Sequence, residues 1–186
     1  MKKIDVDKIE NAFRDILDAL GENVKREGLE DTPKRVAQSY GELFSGLFQN
    51  PEDVLKRTFE VEKNDLIVEK NIDFYSMCEH HFLPIFGKID IAYIPNGKIV
   101  GFGDIIKVID ILSKRPQIQE RLGAQIADAI YETLNCQGVM IIIKAKHMCM
   151  TMRGEKRVNS EIITTSYRGV FEDDAVRRME ILSLLK

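Results

Sequence analysis

Residues 66–97 read LIVEKNIDFYSMCEHHFLPIFGKIDIAYIPNG, and the period of this stretch decides the fold. Ile72, Phe74 and Ser76 fall on one face of an extended chain, and after Gly87 the residues Ile89, Ile91 and Tyr93 alternate with Asp90 and Ala92. A period of two predicts two strands with one face turned to a core, the second ending in the turn Pro95-Asn96-Gly97.

On either side of this pair the period is helical. Upstream, Val6, Ile9, Phe13, Ile16, Leu17 and Leu20 predict an amphipathic helix over 5–20, stopped at Gly21. A second helix is expected from Thr32, read as the capping residue, with Pro33 at its first position, and running through Val36, Ala37, Tyr40, Leu43, Phe44 and Leu47. Asn50-Pro51 and the charged run from Glu60 to Asp65 are read as a connector. Downstream, helices are predicted from Ile105 to Leu112 and, after a break at Pro116, from Ile118 to Leu134, with Asn135 to Gly138 as the stop. Val139 to Lys146 and Glu161 to Val170 read as strands, and Asp173 or Asp174 as the cap of a last helix reaching Leu185. Paired strands, paired helices and paired strands indicate an α+β domain with antiparallel hairpins. The expected division is a helical segment and connector over 1–64 and the main domain over 65–186.

Composition narrows the function. The chain has 27 Lys+Arg against 30 Asp+Glu, a formal charge of −3, which gives no basic field for nucleic acid. An anionic ligand must then be held by a local pocket. The start of the chain carries acidic residues where a secretory signal needs an apolar run, and no stretch has the length of a membrane span. A cytoplasmic protein is the expectation, in which the three cysteines serve as thiols or metal ligands and form no disulfide framework.

All three histidines lie in two short segments, Cys78-Glu79-His80-His81 and His147-Met148-Cys149, together with two of the three cysteines. Thiolate and imidazole suit zinc. Cys78 and His81 can meet one ion across a tight turn, with Cys149 arriving from a distant strand. Three protein ligands leave a fourth position for water, the layout of a catalytic zinc. On an extended strand His147 and Cys149 share a face, so His147 is expected beside the metal. Two alternatives stay open at this point: a closed structural zinc site completed by His80 or His147, and buried thiols near unrelated surface histidines. Cys136 reads as a structural thiol, and the alternation of Met148, Met150 and Met152 as one face of a strand packed on the core.

The motifs Glu30-Asp31-Thr32-Pro33-x-Arg35, Ser76-Met77-Cys78-Glu79-His80-His81, Ala92-Tyr93-Ile94-Pro95, Arg115-Pro116-Gln117-Ile118-Gln119-Glu120-Arg121-Leu122 and His147-Met148-Cys149-Met150-Thr151-Met152-Arg153-Gly154 run through nearly the whole chain. In these motifs and their order the chain resembles the GTP cyclohydrolase I family. The resemblance implies a tunnelling fold, a β-β-α-α-β-β unit that forms a ring, a decamer in that family, with sites at subunit interfaces. It implies Zn2+ held by Cys78, His81 and Cys149, and proton transfer by His80 and His147. Glu120 with Gln119 is implied as the group that reads guanine, a carboxylate accepting from the N1–H and 2-amino edge that adenine lacks. The implied reaction opens the imidazole ring of GTP and releases formate, giving dihydroneopterin triphosphate for folate, another pterin or a deazapurine.

One segment departs from the family pattern. Gly101-Phe102-Gly103-Asp104-Ile105-Ile106-Lys107 places Gly103 where the family has a serine, Asp104 where it has a phosphate-side lysine, and Lys107 where it has an arginine; Gln38 replaces a further lysine. Arg35, Lys107 and Arg153 remain as the basic positions implied for the triphosphate. Asp104 is expected either to face the phosphates, which costs on the order of a kcal/mol, or to cap the helix near Ile105. GTP is the expected substrate, with a less phosphorylated guanine or pterin compound, or a non-catalytic zinc-stabilised assembly, as the alternatives.

Overall fold

The computed structural model describes residues 3–185. Residues 1, 2 and 186, the outer ends of the two expected segments, lie outside the described residues. Helix α1 (Val6–Ala19) starts at Asp5, whose carboxylate accepts from the Lys8 N–H at 3.0 Å, and the chain leaves it through Gly21 at φ +80°. Helix α2 (Thr32–Leu43) has its cap one residue earlier than expected. Asp31 occupies the cap position without a side-chain cap bond, Thr32 is already helical, and its hydroxyl donates back to the Gly28 carbonyl. The predicted continuation to Leu47 is instead a separate 3-10 turn, Ser45–Phe48. Gly46 explains the break: a Cβ there would meet the Ile111 carbonyl at 2.0 Å, and its own carbonyl accepts from Arg115 Nε at 2.9 Å. The backbone leaves the helix in order to dock against the next helical layer.

The expected connector is structured. Pro51–Leu55 forms a second 3-10 turn that puts Leu55 in the main core, and β1 (Thr58–Glu60) pairs antiparallel with β4 (Lys98–Val100). The main sheet contains β2 (Ile67–Cys78), β3 (Pro84–Ile94), β5 (Pro116–Gln117), β6 (Gly138–His147) and β7 (Ile162–Gly169) in the order β5-β2-β3-β6-β7. All neighbours are antiparallel except the short β5 alongside β2. The α+β expectation is met, with the two hairpins meeting where β3 pairs with β6.

Helices α3 (Phe102–Ser113) and α4 (Gln119–Leu134) cover one face of the sheet. Ile72, Phe74, Ile89, Ile91 and Tyr93 pack there against Ile105, Ile109, Leu122, Ile126 and Ile130, a continuous apolar layer. Asn135, in left-handed backbone, ends α4 where a stop was expected. The opposite face is covered as well. Ala92, Met140 and Ile142 are buried beneath Phe171 and Ile181 of α6 (Val170–Asp173) and α7 (Ala175–Leu184). Asp174 caps α7 by accepting from the Arg177 N–H. Asp90 on this face, 2% exposed, accepts from the Asn71 N–H at 2.8 Å and pairs with Lys144 at 3.2 Å. A buried charge is tolerated because both interactions are made. Among the described residues, no helix is long and apolar enough to cross a membrane.

Candidate metal centre

The register of three strands builds the site. Met77 lies opposite Pro84 and Ile85 opposite His147, so the end of β2, the start of β3 and the end of β6 come together at one corner of the sheet. Between β2 and β3 the chain reverses in a turn closed by the Phe82 N–H donating to the Cys78 carbonyl at 2.8 Å and the Cys78 N–H donating to the Leu83 carbonyl at 2.9 Å. Phe82 takes φ +51° to make it, an uncommon conformation for an aromatic residue, and its ring packs on Phe44. This reversal carries His81 back over Cys78. The turn is also tied to β5 and α4: the Glu79 N–H donates to the Gln117 carbonyl at 3.0 Å, and the Glu79 carboxylate pairs with Arg121. Arg121 first of all, through that hydrogen bond, holds the Glu79 carboxyl below its ordinary pKa.

Cys149 reaches the same corner by another route than the expected strand. β6 ends at His147, and Met148–Thr151 forms a helical turn, α5. The physical reason lies in the partners. β3 begins at Pro84 and β7 at Ile162, so past His147 neither flank offers a ladder, and the backbone satisfies itself locally, the Met152 N–H donating to the Met148 carbonyl at 3.0 Å. His147 and Cys149 therefore do not share a strand face. Nor do Met148, Met150 and Met152 form a buried strand face, and Met152 is 57% exposed.

The ligand atoms of Cys78, His81 and Cys149 all lie within 4.8 Å of one another, with Cys78 buried, Cys149 half-buried and His81 exposed. Burial, and after it the neighbouring Cys78 thiol, push the Cys149 thiol above its ordinary pKa. Two thiols pressed together at a partly buried corner gain from a cation that takes them as thiolates, and a donor set of two sulfurs and one imidazole nitrogen fits zinc. His147 stands outside this donor group. Its Nε2 lies 2.8 Å from the Oε1 of Gln119, and burial lowers its pKa, a shift that Glu120 partly opposes. His80, on the same turn as His81, is exposed, with its Nε2 3.8 Å from Glu79 and its ring 6.3 Å from that of His81.

The remaining predicted residues fall into two groups. Gln119 and Glu120 open α4, Gln119 buried and Glu120 exposed near His147, while Arg153 is exposed and close enough to Cys149 to act on its thiol. Arg35 and Lys107 make their polar contacts elsewhere: Arg35 pairs with Asp31 at 3.3 Å and Lys107 with Asp104 at 2.7 Å, each within its own helical segment. Asp104 is not the helix cap. α3 starts at Phe102 with Gly101 at the cap position, and Asp104 sits in the first turn. Sequence reasoning missed Arg121 as a site residue, although it lies inside a quoted motif, because nothing in its spacing announces a partner 42 positions away.

Three donors gathered at a sheet corner, with the His147 imidazole outside the donor set, define an α+β protein with a group that could hold a metal ion. Comparison with known proteins makes this particular. The family model for GTP cyclohydrolase I matches residues 9–186. A GTP cyclohydrolase 1 of Fusobacterium nucleatum is 59% identical over 185 residues, spanning 100% of this chain and 99% of the relative. Those of Clostridium perfringens (48% identical, 98% of each chain) and Geobacillus kaustophilus (50%, 100% of each) are similar over the same extent. A solved structure, the apo form of the archaeosine synthase QueF-Like, overlaps 56% of this chain and 93% of its own at 15% identity and a TM-score of 0.43. The chain belongs to the GTP cyclohydrolase I family.

Proposed function

We propose that this chain catalyses the zinc-dependent hydrolysis of the guanine imidazole ring of GTP, releasing formate and giving 7,8-dihydroneopterin triphosphate. The observation that carries the reading is the Cys78, His81 and Cys149 group with His147 held just outside it, in a chain that matches named GTP cyclohydrolases over its whole length. Bound by the two thiolates and the imidazole, zinc supplies Lewis acidity and lowers the pKa of a coordinated water towards neutrality. The chain's own residues do the rest. Glu120, exposed at the start of α4, accepts from the N1–H and 2-amino groups of guanine and so sets C8 towards the sheet corner. His147 and His80 move protons to and from the imidazole-ring nitrogens as one water opens the ring, a second water frees C8 as formate, and rearrangement of the ribose chain with ring closure and loss of one water gives the dihydropterin.

Arg153, near Cys149, is assigned to the triphosphate, together with Arg35 and Lys107. Arg35 and Lys107 lie on α2 and α3, and the chain is assigned to a homo-oligomer, a decamer by family, whose sites combine residues of neighbouring subunits. A cytoplasmic location fits the free cysteines. A second reading, a preference for a less phosphorylated guanine compound, is favoured by one observation, the ion pair in which Asp104 occupies Lys107.

Guanosine, GMP, GDP and GTP, each followed by formate release and ultraviolet change, separate the readings. Turnover concentrated on GTP is expected, and a higher kcat/KM for guanosine or GMP would install the second reading.

A further inference from the structure

Gln119 is 2% exposed at the first position of α4, and both polar atoms of its side chain are engaged within the chain. Its Nε2 lies 3.1 Å from the Ile143 carbonyl, 3.0 Å from the Ile162 carbonyl and 3.0 Å from the Thr164 hydroxyl, while its Oε1 lies 2.8 Å from His147 Nε2. The orientation of the amide is forced. A flipped amide would set Oε1 against two backbone carbonyls, which only accept, and would leave a buried oxygen facing oxygens. With the NH2 end on β6 and β7, Oε1 must accept, and the hydrogen between the two side chains must belong to His147 Nε2. A neutral imidazole carries one N–H, so Nδ1 holds the free lone pair.

We propose that Gln119 is a positioning residue that fixes His147 as its Nε2–H tautomer and leaves Nδ1 as the atom that exchanges a proton with the substrate. The inference rests on the proton-transfer reading of His147 and sharpens it to one atom. It also moves Gln119 away from base reading: the amide's two hydrogens already face three acceptors, so it has no donor to spend on guanine, and Glu120 is left to read the base. Because Gln119 and Glu120 are consecutive at the head of α4, one helix start would set both the base-reading carboxylate and the orientation of the proton-transfer imidazole.

Neutron diffraction from crystals of the zinc-loaded enzyme tests the tautomer without any substitution. Deuterium on His147 Nε2, pointing at Gln119 Oε1, is expected, whether or not Nδ1 is also deuterated; deuterium on Nδ1 alone overturns the proposal. The kinetic arm uses Gln119→Met, which keeps length and removes every hydrogen bond of the amide. Its zinc content should be unchanged and its kcat should fall on the order of 10- to 100-fold, with KM for GTP moving by no more than about twofold. A loss confined to KM would make Gln119 a base contact and overturn the proposal, as would a Gln119→Met enzyme with unchanged kcat. His147→Asn is the control on the underlying reading: a fully active variant would defeat the proton-transfer role of His147 itself, whereas an inactive one beside an unimpaired Gln119→Met would defeat only the role given to Gln119. If Gln119→Met fails to fold, the neutron measurement on the unaltered enzyme still decides.

Discussion

Two short segments separated by most of a domain, Cys78 to His81 and His147 to Cys149, converge at one corner of the sheet, and the tasks proposed for their side chains can be tested separately. Replacing Cys78, His81 or Cys149 by alanine should remove the metal, whereas His80→Ala and His147→Ala should keep it and lose turnover by on the order of 10²–10⁴-fold. Metal analysis of the purified variants beside formate release checks both halves; a metal-free His147→Ala would mean that His147 is a fourth ligand and the site a closed one. Asp104 carries a second prediction. Its carboxylate holds Lys107 at 2.7 Å, so Asp104→Asn should release that ammonium and lower KM for GTP, by about tenfold for each 1.4 kcal/mol gained, with little change for guanosine. Steady-state kinetics on the two substrates measures it, and an unchanged ratio would place the triphosphate away from α3.

The donor residues were legible because zinc demands side-chain types that are rare in this chain, and rarity survives without coordinates. What Gln119 and Arg121 touch was not legible. Their partners, Ile143, Ile162 and His147 in one case and Glu79 in the other, are far away in sequence, and a buried glutamine and a surface one look alike as letters. The strand expected at Cys149 misleads for a related reason. Hydropathy near Met148 and Met150 fits an extended chain, but the strand ends where its neighbours end, and those neighbours are known only once the sheet is assembled.

At the scale of elements, the periods of two and of 3.6 recovered the strands and helices that form the core, since burial on one face is what produces those periods. They failed where an element is very short, as in β1, β4 and β5. The end of the hydrophobic run in α2 was likewise set by a close backbone approach at Gly46 and not by the run itself. Gly87 offers the cleanest test of how tightly the β3 and β6 pairing positions the site. A Cβ there would lie 2.0 Å from the Lys144 carbonyl oxygen and 2.7 Å from the Ala145 Cα, all backbone and unable to move aside. Gly87→Ala should destabilise by on the order of 1–3 kcal/mol or more and, because the same ladder sets the end of β6 from which Cys149 follows, should weaken zinc retention as well. Chemical denaturation with metal analysis reads both; a variant of unchanged midpoint and full metal content would show that the corner is set by the turns alone.

At the scale of the molecule, the site is an assembly problem. The metal corner draws its three donors from one chain, while the basic residues assigned to the triphosphate are spread over separate helices. If neighbouring subunits supply part of the phosphate pocket, activity should fall on dilution, at concentrations where circular dichroism still reports a folded protomer, with the loss tracking the oligomer in sedimentation. A fully active monomer would sink that claim. The central claim, that the Cys78, His81 and Cys149 corner is a catalytic zinc site and not a structural staple, has its own direct measurement: formate release from GTP followed through chelation and zinc return, with far-ultraviolet circular dichroism and sedimentation recorded on the same samples. Chelation should abolish formate release while fold and assembly persist, and stoichiometric zinc should restore it. Unfolding on mild chelation, or undiminished turnover in the metal-free protein, would contradict it.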